Sequence, residues 1–101
     1  MVTIHSLKIL PESFKAVCNG YKKAEFRRTD REIPFAVGDR LYLREWLPPV
    51  VKNQVLMTFY DGCYSGHSIT VEITHIVNGD DINIVPIGYA MLSFKLVQPE
   101  F

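Results

Sequence analysis

Alternation of hydrophobic and polar residues along the chain predicts β-strands, because successive side chains of a strand point to opposite faces. It is clearest over Thr3–Ile9 and His67–Val77. In the first strand His5, Leu7 and Ile9 share a face with Thr3, and Lys8 lies on the other face. In the later strand Ile69, Val71 and Ile73 share one face, whereas Thr70, Glu72, Thr74 and Ile76 share the other. Further strands are predicted over Lys23–Arg28, Arg40–Trp46 and Tyr89–Val97.

One short helix is predicted between the first two strands. Pro11 suits its first turn, where the missing N–H has no partner to lose. Phe14, Val17 and Cys18 recur at helical spacing and form its buried stripe, which makes Cys18 a core thiol. Asn19-Gly20 ends the helix, with Gly20 in a left-handed conformation.

The remaining segments are predicted as loops and turns. A loop covers Thr29–Phe35, Val37–Asp39 is a turn in which the Asp39 side chain takes part, and Leu47–Pro49 stops the third strand. Residues 50–66 favour no single structure: Val55–Tyr60 suits a short strand or a flap, with turns at Asp61-Gly62 and Ser65-Gly66 and Cys63 in the loop. Asn78–Asp81 makes a last turn before a connection to Pro86.

The order of these elements predicts a single α+β, mostly β domain over residues 1–101. It is a mixed β-barrel of five to six strands with one N-terminal helix at the rim. No apolar run approaches the roughly 18 residues of a spanning helix, so no membrane association is expected. The N-terminus does not have the pattern of a signal peptide, so the cytoplasm is the expected location.

Composition adds a weak hint about partners. The chain has 48% hydrophobic and 22% charged residues, which is enough for a core. Residues 1–45 carry nine Lys/Arg against six Asp/Glu (net +3), and residues 46–101 carry two against five (net −3). A basic half hints at a phosphate-bearing partner. Cys18, Cys63 and the histidines have no metal-ligand spacing, and no metal or cofactor is expected; a lone histidine on a strand, such as His5, is usually partly exposed.

The residues that could carry chemistry cluster after the helix. Lys22, Glu25 and Arg27 lie within six residues, and alternation on the strand places Lys23, Glu25 and Arg27 on a solvent face opposite Ala24 and Phe26. A lysine there could act as base or nucleophile, a carboxylate could hold a proton, and a guanidinium could clamp phosphate. On spacing alone, surface ion pairs explain the same cluster.

The chain resembles the ASCH domains of the PUA-like superfamily, and within them a compact bacterial and phage branch. The resemblance is carried by Gly20-x-Lys22-x-x-Glu25-x-Arg27 ahead of Val37-Gly38-Asp39. It is supported by four further motifs in order: His5-x-Leu7-Lys8-Ile9-x-Pro11, Leu43–Trp46, Tyr64-x-Gly66 and Gly88-Tyr89.

The resemblance implies a PUA-like barrel with a cleft between the barrel and the first helix that holds Lys22, Glu25 and Arg27. Such domains are associated with RNA binding, and some small relatives are hydrolases. One subgroup removes acetyl from N4-acetylcytidine with a lysine at the position of Lys22. Where that enzyme has a threonine this chain has Glu25, and Glu72 is the candidate for its later glutamate.

Three functions remain open from the sequence. The first is binding of RNA or a nucleotide-like ligand, and the second is amide hydrolysis on a modified nucleoside with Lys22 and Glu25 as catalytic residues. The third is an accessory or adaptor protein with no catalytic role. Expected ligand contacts are Lys8, Lys23, Arg27, Arg28, Glu45, Trp46 and Tyr64, with a base stacked on Trp46 or Tyr64. Arg44 and Glu45 fall on opposite faces of their strand, and the resemblance favours Glu45 for the cleft.

Overall fold

The computed structural model describes residues 2–49, 62–80 and 83–97. Within these ranges the chain is mostly β, with one short helix and five strands. The elements in chain order are β1 (Ile4–Ile9), α1 (Pro11–Cys18), β2 (Ala24–Arg28), β3 (Arg40–Leu47), β4 (Cys63–Asn78) and β5 (Tyr89–Leu96). No helix in these ranges has the length and hydropathy needed to span a bilayer. The prediction for Val55–Tyr60 lies outside the described residues, as do parts of the turns at 61–62 and 78–81.

The five strands form one sheet in the order β1-β3-β4-β5-β2. β1 pairs with β3 in parallel, and the other neighbours are antiparallel. The edge strands β1 and β2 approach each other at one point, where Arg27 Nη2 donates to the Lys8 carbonyl oxygen at 2.7 Å. The sheet is therefore curled into a half-barrel, and the predicted mostly-β fold with one N-terminal helix is confirmed.

The core lies on the inner face of this sheet, against α1. Alternate residues of β1, β3, β4 and β5 point inward, and α1 contributes Val17, which is 1% exposed. The buried cluster consists of Leu7, Ile9, Val17, Leu41, Leu43, Val71, Ile73, Ala90, Leu92 and Phe94. The opposite face of the sheet is called the outer face below.

The predicted orientation of β2 is wrong. Glu25 pairs with Leu92 and Arg27 with Ala90, and both partners are buried, so the two charged side chains lie on the inner face. Phe26 instead points outward and is 53% exposed. The reason is non-local: β2 is an edge strand, and its inward charges pair with each other and reach across to β1, which an apolar side chain could not do.

Two irregularities in β4 change the predicted faces and turns. The register shifts so that Ser65, Gly66 and His67 lie opposite Glu45 alone. The predicted turn at Ser65-Gly66 is thus a bulge inside a strand, with Gly66 at φ 95°. A second shift at Thr74 reverses the alternation, so Ile76 packs against the core rather than on the face of Glu72.

Two further side chains, Cys18 and His5, differ from their predicted burial, and Cys63 differs from its predicted location. Cys18 is exposed, because Phe14 and Val17 fill the packed side of this short helix. Cys63 is also exposed but lies at the start of β4 rather than in a loop. His5 is only 3% exposed, since it has a buried carboxylate as partner.

Candidate functional site

A cleft lies beside the end of α1 and the end of β5, and we call it the lysine cleft. Its volume is about 590 Å³, within the range of roughly 300–1,000 Å³ that is usual for small-molecule sites. Its polar lining residues are Lys22, Lys23, Glu72 and Lys95. Its other lining residues are Val17, Gly20, Phe94, Leu96 and Val97.

The end of α1 places the first two lysines. Gly20 adopts φ 78°, a conformation that a glycine accepts without strain. The amides of Tyr21 and Lys22 then both donate to the Ala16 carbonyl, at 2.9 and 3.0 Å, which folds the chain back over the last turn. The Lys23 carbonyl accepts from the Phe94 amide at 2.9 Å. Lys22 and Lys23 are thereby fixed between the helix and β5.

The lysine cleft has an excess of positive charge above an apolar floor. Val17 and Phe94 are 1% and 5% exposed, so the floor is part of the core. Glu72 lies opposite Lys95 in the β4–β5 register, and their charged atoms are 3.7 Å apart. Three ammonium groups against one carboxylate leave a net charge of +2. This arrangement suits an anion attached to a flat apolar group.

Glu25 and Arg27 line a different cleft, where the edges of the sheet meet; we call it the seam cleft. It has about 440 Å³ and is also lined by Lys8, Arg28 and Tyr89. Glu25 accepts from Arg27 Nε at 2.6 Å, so its carboxylate is already paired. Lys22 is not among the residues that line this cleft. The structure therefore does not bring Lys22, Glu25 and Arg27 together in one cavity.

Arg28 is held on the surface by its own neighbour. It forms a two-pronged contact with Asp30, with N–O distances of 3.0 and 2.9 Å. The hydrogen bond raises the pKa of Arg28 and lowers the pKa of Asp30. Both side chains are exposed, so this pair remains open to competition from a phosphate.

Lys8, Trp46 and Tyr64 meet on the outer face, away from Glu45. Lys8 Nζ lies 3.9 Å from the centroid of the Trp46 ring, and the rings of Trp46 and Tyr64 are 5.0 Å apart in an edge-on arrangement. The guanidinium carbon of Arg44 lies 3.5 Å from the centroid of the Tyr64 ring. These four residues form what we call the aromatic–cationic patch.

Glu45 faces inward, because it follows Arg44 on β3 and successive side chains of a strand point to opposite faces. It pairs with the buried Ile9 in the β1–β3 register and lies 3.5 Å from His67 Nδ1. Burial, followed by the charge of Glu45, raises the pKa of the Cys18 thiol. A thiol with a raised pKa is less ionised near neutral pH, so this environment does not activate Cys18.

A family model described as "Domain of unknown function (DUF3850)" matches residues 4–94. The chain belongs to this DUF3850 family. It is also 31% identical over 81 residues to a protein of Escherichia phage P2 described as "Uncharacterized 12.9 kDa protein in GpA 3'region". That match covers 80% of this chain and 61% of the phage protein, so the chain spans less than two thirds of its relative.

The DUF3850 match covers most of the lysine cleft. Lys22, Lys23 and Glu72 lie inside the matched range, whereas Lys95 lies one residue beyond it. Sequence reasoning did not select Lys95. Only the pairing of β4 with β5 reveals Lys95, because Lys95 lies opposite Glu72 in that register. The register in turn depends on the irregularity at Thr74 in β4.

A buried polar cluster was also missed. His5 Nε2 lies 2.8 Å from Asp39 Oδ2, and Asp39 also accepts from the amides of Thr3 and Ala36. Burial acts to raise the pKa of Asp39, but these hydrogen bonds outweigh it and hold the pKa below its ordinary value. Arg31 Nη2 contacts His5 Nδ1 at 3.3 Å. The signal was the position of His5 on the apolar face of β1, since a buried histidine needs a partner.

The part Asp39 plays in its turn agrees with the sequence prediction, since its side chain accepts from the Ala36 amide at 3.0 Å. Among the described residues, no group of three His, Cys, Asp or Glu side chains is arranged to hold a metal ion.

Proposed function

We propose that the lysine cleft binds RNA or a nucleotide-like ligand. Lys22, Lys23 and Lys95 hold phosphate, and the base packs against the apolar part of the lining. The observation that carries this proposal is a cleft of about 590 Å³ whose lining includes three lysines, Lys22, Lys23 and Lys95, together with apolar side chains. The finer fold assignment, a PUA-like domain of the ASCH type, belongs to the same proposal. It is supported by a helix that borders a cleft at the side of a curled mixed sheet.

The charge of the cleft predicts how binding depends on salt. Each phosphate contact on a single strand contributes about −0.7 to the slope of log K against log salt concentration. Three lysine contacts give a slope of about −2, which is about a 20-fold loss of affinity between 50 and 200 mM salt. The affinity of a labelled short single-stranded RNA, measured by fluorescence anisotropy at several salt concentrations, tests this.

Two matched variants locate the contacts. Lys22→Gln should weaken binding and make the slope shallower by about 0.7. Lys15→Gln removes the same charge from an exposed position on α1 that does not line the cleft, and it should leave the slope unchanged. Equal effects of the two variants, or an affinity that does not depend on salt, would contradict the proposal.

Amide hydrolysis is a second candidate, favoured by one observation: Lys22 and Glu72 line the same cleft. Hydrolysis of an N4-acylated cytidine adds water across the acyl C–N bond and releases a carboxylic acid and the free amine. In this candidate Lys22 acts as base or nucleophile, and Glu72, which also pairs with Lys95, carries the proton. Glu25, the partner expected from the sequence, is paired with Arg27 in the seam cleft instead.

Turnover of N4-acetylcytidine separates the two carboxylates. Lys22→Ala should abolish hydrolysis, and Glu72→Gln should lower kcat by about 100-fold or more. Glu25→Gln is the control and should retain most of the activity. If the wild-type protein shows no turnover, or Glu25→Gln loses more activity than Glu72→Gln, this candidate is wrong.

A further inference from the structure

The outer face of the sheet continues from the lysine cleft to the aromatic–cationic patch. Arg40 stands opposite Glu72, and Glu72 stands opposite Lys95, so one row crosses β3, β4 and β5. Glu72 and Lys95 of that row line the lysine cleft. Lys8 stands opposite Arg44 in another row on the same face. The two rows belong to one surface.

Tyr42 lies between these rows and links them. It is on the same face of β3 as Arg40 and Arg44, and it is 39% exposed. Trp46 and Tyr64 complete the surface at the end of β3, where Tyr64 is 38% exposed. The first and last of these positions on β3, Arg40 and Trp46, are six residue steps apart, which at about 3.3 Å per step is about 20 Å.

The charge and the aromatic groups of this surface point to one kind of partner. Its cations are Lys8, Arg40, Arg44 and Lys95, and its carboxylate is Glu72, which leaves a net charge of +3. Tyr42, Trp46 and Tyr64 are interspersed with those cations. Cations that track a backbone beside aromatic rings are the features that bind single-stranded nucleic acid, because a single strand exposes both phosphates and base faces. A duplex keeps its bases stacked inside and cannot use the rings.

We propose that a single strand of nucleic acid runs from the lysine cleft along β3 to Trp46 and Tyr64. This inference rests on the proposed function of the lysine cleft and extends it: the ligand is an oligonucleotide rather than a free mononucleotide. Lys8 and Arg44, which now cover Trp46 and Tyr64, turn toward phosphates while bases stack on the exposed ring faces. The nucleotide in the lysine cleft is the end of that strand.

The test compares two probes, an eight-nucleotide oligocytidine RNA and cytidine 5′-monophosphate. The octamer should bind at least about 25-fold more tightly at the same salt concentration, since each of two stacked bases adds about 5- to 100-fold. Tyr64→Leu should weaken octamer binding by about 5- to 100-fold and leave monophosphate binding unchanged. Arg44→Gln is a second variant of the same surface that keeps both rings, and it should make the salt slope for the octamer shallower by about 0.7.

The outcomes separate this inference from the proposal on which it rests. If the monophosphate binds in a Lys22-dependent way but the octamer binds no more tightly, the strand path is wrong and the cleft proposal stands. The strand path is also wrong if Tyr64→Leu and Arg44→Gln both bind the octamer like wild type, or if a duplex of that sequence binds equally well. If neither probe binds, both proposals fail. A DNA octamer of the same sequence shows whether the 2′-hydroxyl contributes, and tight binding of either octamer supports the path.

Discussion

Replacing Asp39 with asparagine should destabilise the fold through a mismatch of hydrogen-bond donors. Asp39 is 6% exposed and accepts three hydrogen bonds, from Thr3 N at 3.2 Å, His5 Nε2 at 2.8 Å and Ala36 N at 3.0 Å. Arg31 can only donate, so its contact with His5 Nδ1 requires that nitrogen to accept and places the ring proton on Nε2. Every group that faces Asp39 in this network is therefore a donor.

The loss of stability depends on which of two orientations the asparagine amide adopts. If its oxygen faces His5 and Ala36, its NH2 group meets the Thr3 amide, and the reverse orientation creates two such conflicts. The better orientation still leaves one buried donor without an acceptor, at about 1–3 kcal/mol. It also replaces two charge-assisted hydrogen bonds with neutral ones, which are about half as strong. We expect Asp39→Asn to lose about 2 kcal/mol or more, which lowers Tm by about 8–16 °C in a domain of this size.

Urea and thermal unfolding monitored by circular dichroism measure this loss. Asp30→Asn is the control, because Asp30 is also an aspartate in an ion pair, with Arg28, but lies on the surface, and its unfolding midpoint should stay close to wild type. If Asp39→Asn unfolds within about 0.5 kcal/mol of wild type at an unchanged m-value, the hydrogen-bond network described here does not support the fold.

Three further predictions concern the fold. Because the pKa of Asp39 is lowered, its contribution to stability is complete above the unfolded value of about 3.9 and is lost as pH falls through the lower folded pKa. Urea unfolding between pH 5 and 2 should therefore show a larger loss in wild type than in Asp39→Asn, which keeps only the contribution of other carboxylates such as Asp30. Gly79→Ala should cost about 1–3 kcal/mol in urea unfolding, since the added Cβ overlaps the Pro86 carbonyl and lies 2.9 Å from the Val85 oxygen; a wild-type midpoint would refute the contact. Arg27→Met should speed amide hydrogen exchange in β1 and β2, because it removes the bond to Lys8, and unchanged exchange would show that the sheet edges are held in another way.

Local sequence patterns predicted the strands well where one face is buried throughout. The alternation in β1 grouped His5, Leu7 and Ile9 on one face, and all three are buried there, although His5 itself was expected to be partly exposed. The pattern failed at β2, where the inward charges serve a contact between two sheet edges that are far apart in sequence. It also failed at Ile76, because the bulge at Thr74 reverses the inward–outward alternation of β4. No residue near Thr74 predicts that bulge.

The candidate site was predicted only in part for a similar reason. Lys22 and Lys23 border the cleft beside the first helix, whereas Glu25 and Arg27, which were expected in the same cleft as Lys22, do not. Glu25 is three residues from Lys22 but belongs to the next element, so it turns into the seam cleft. Lys95 lies in the site because β5 pairs with β4, and no sequence motif includes Lys95.

The central claim is that the lysine cleft holds a nucleotide. The most direct test is a titration with cytidine 5′-monophosphate followed by two-dimensional 1H–15N NMR. We expect the largest shifts on amides of the cleft, at Gly20, Lys22, Lys23 and Lys95–Val97, and we expect them to be lost in Lys22→Gln but kept in Lys15→Gln. Shifts confined to other parts of the described chain, or no shifts at millimolar ligand, would contradict it.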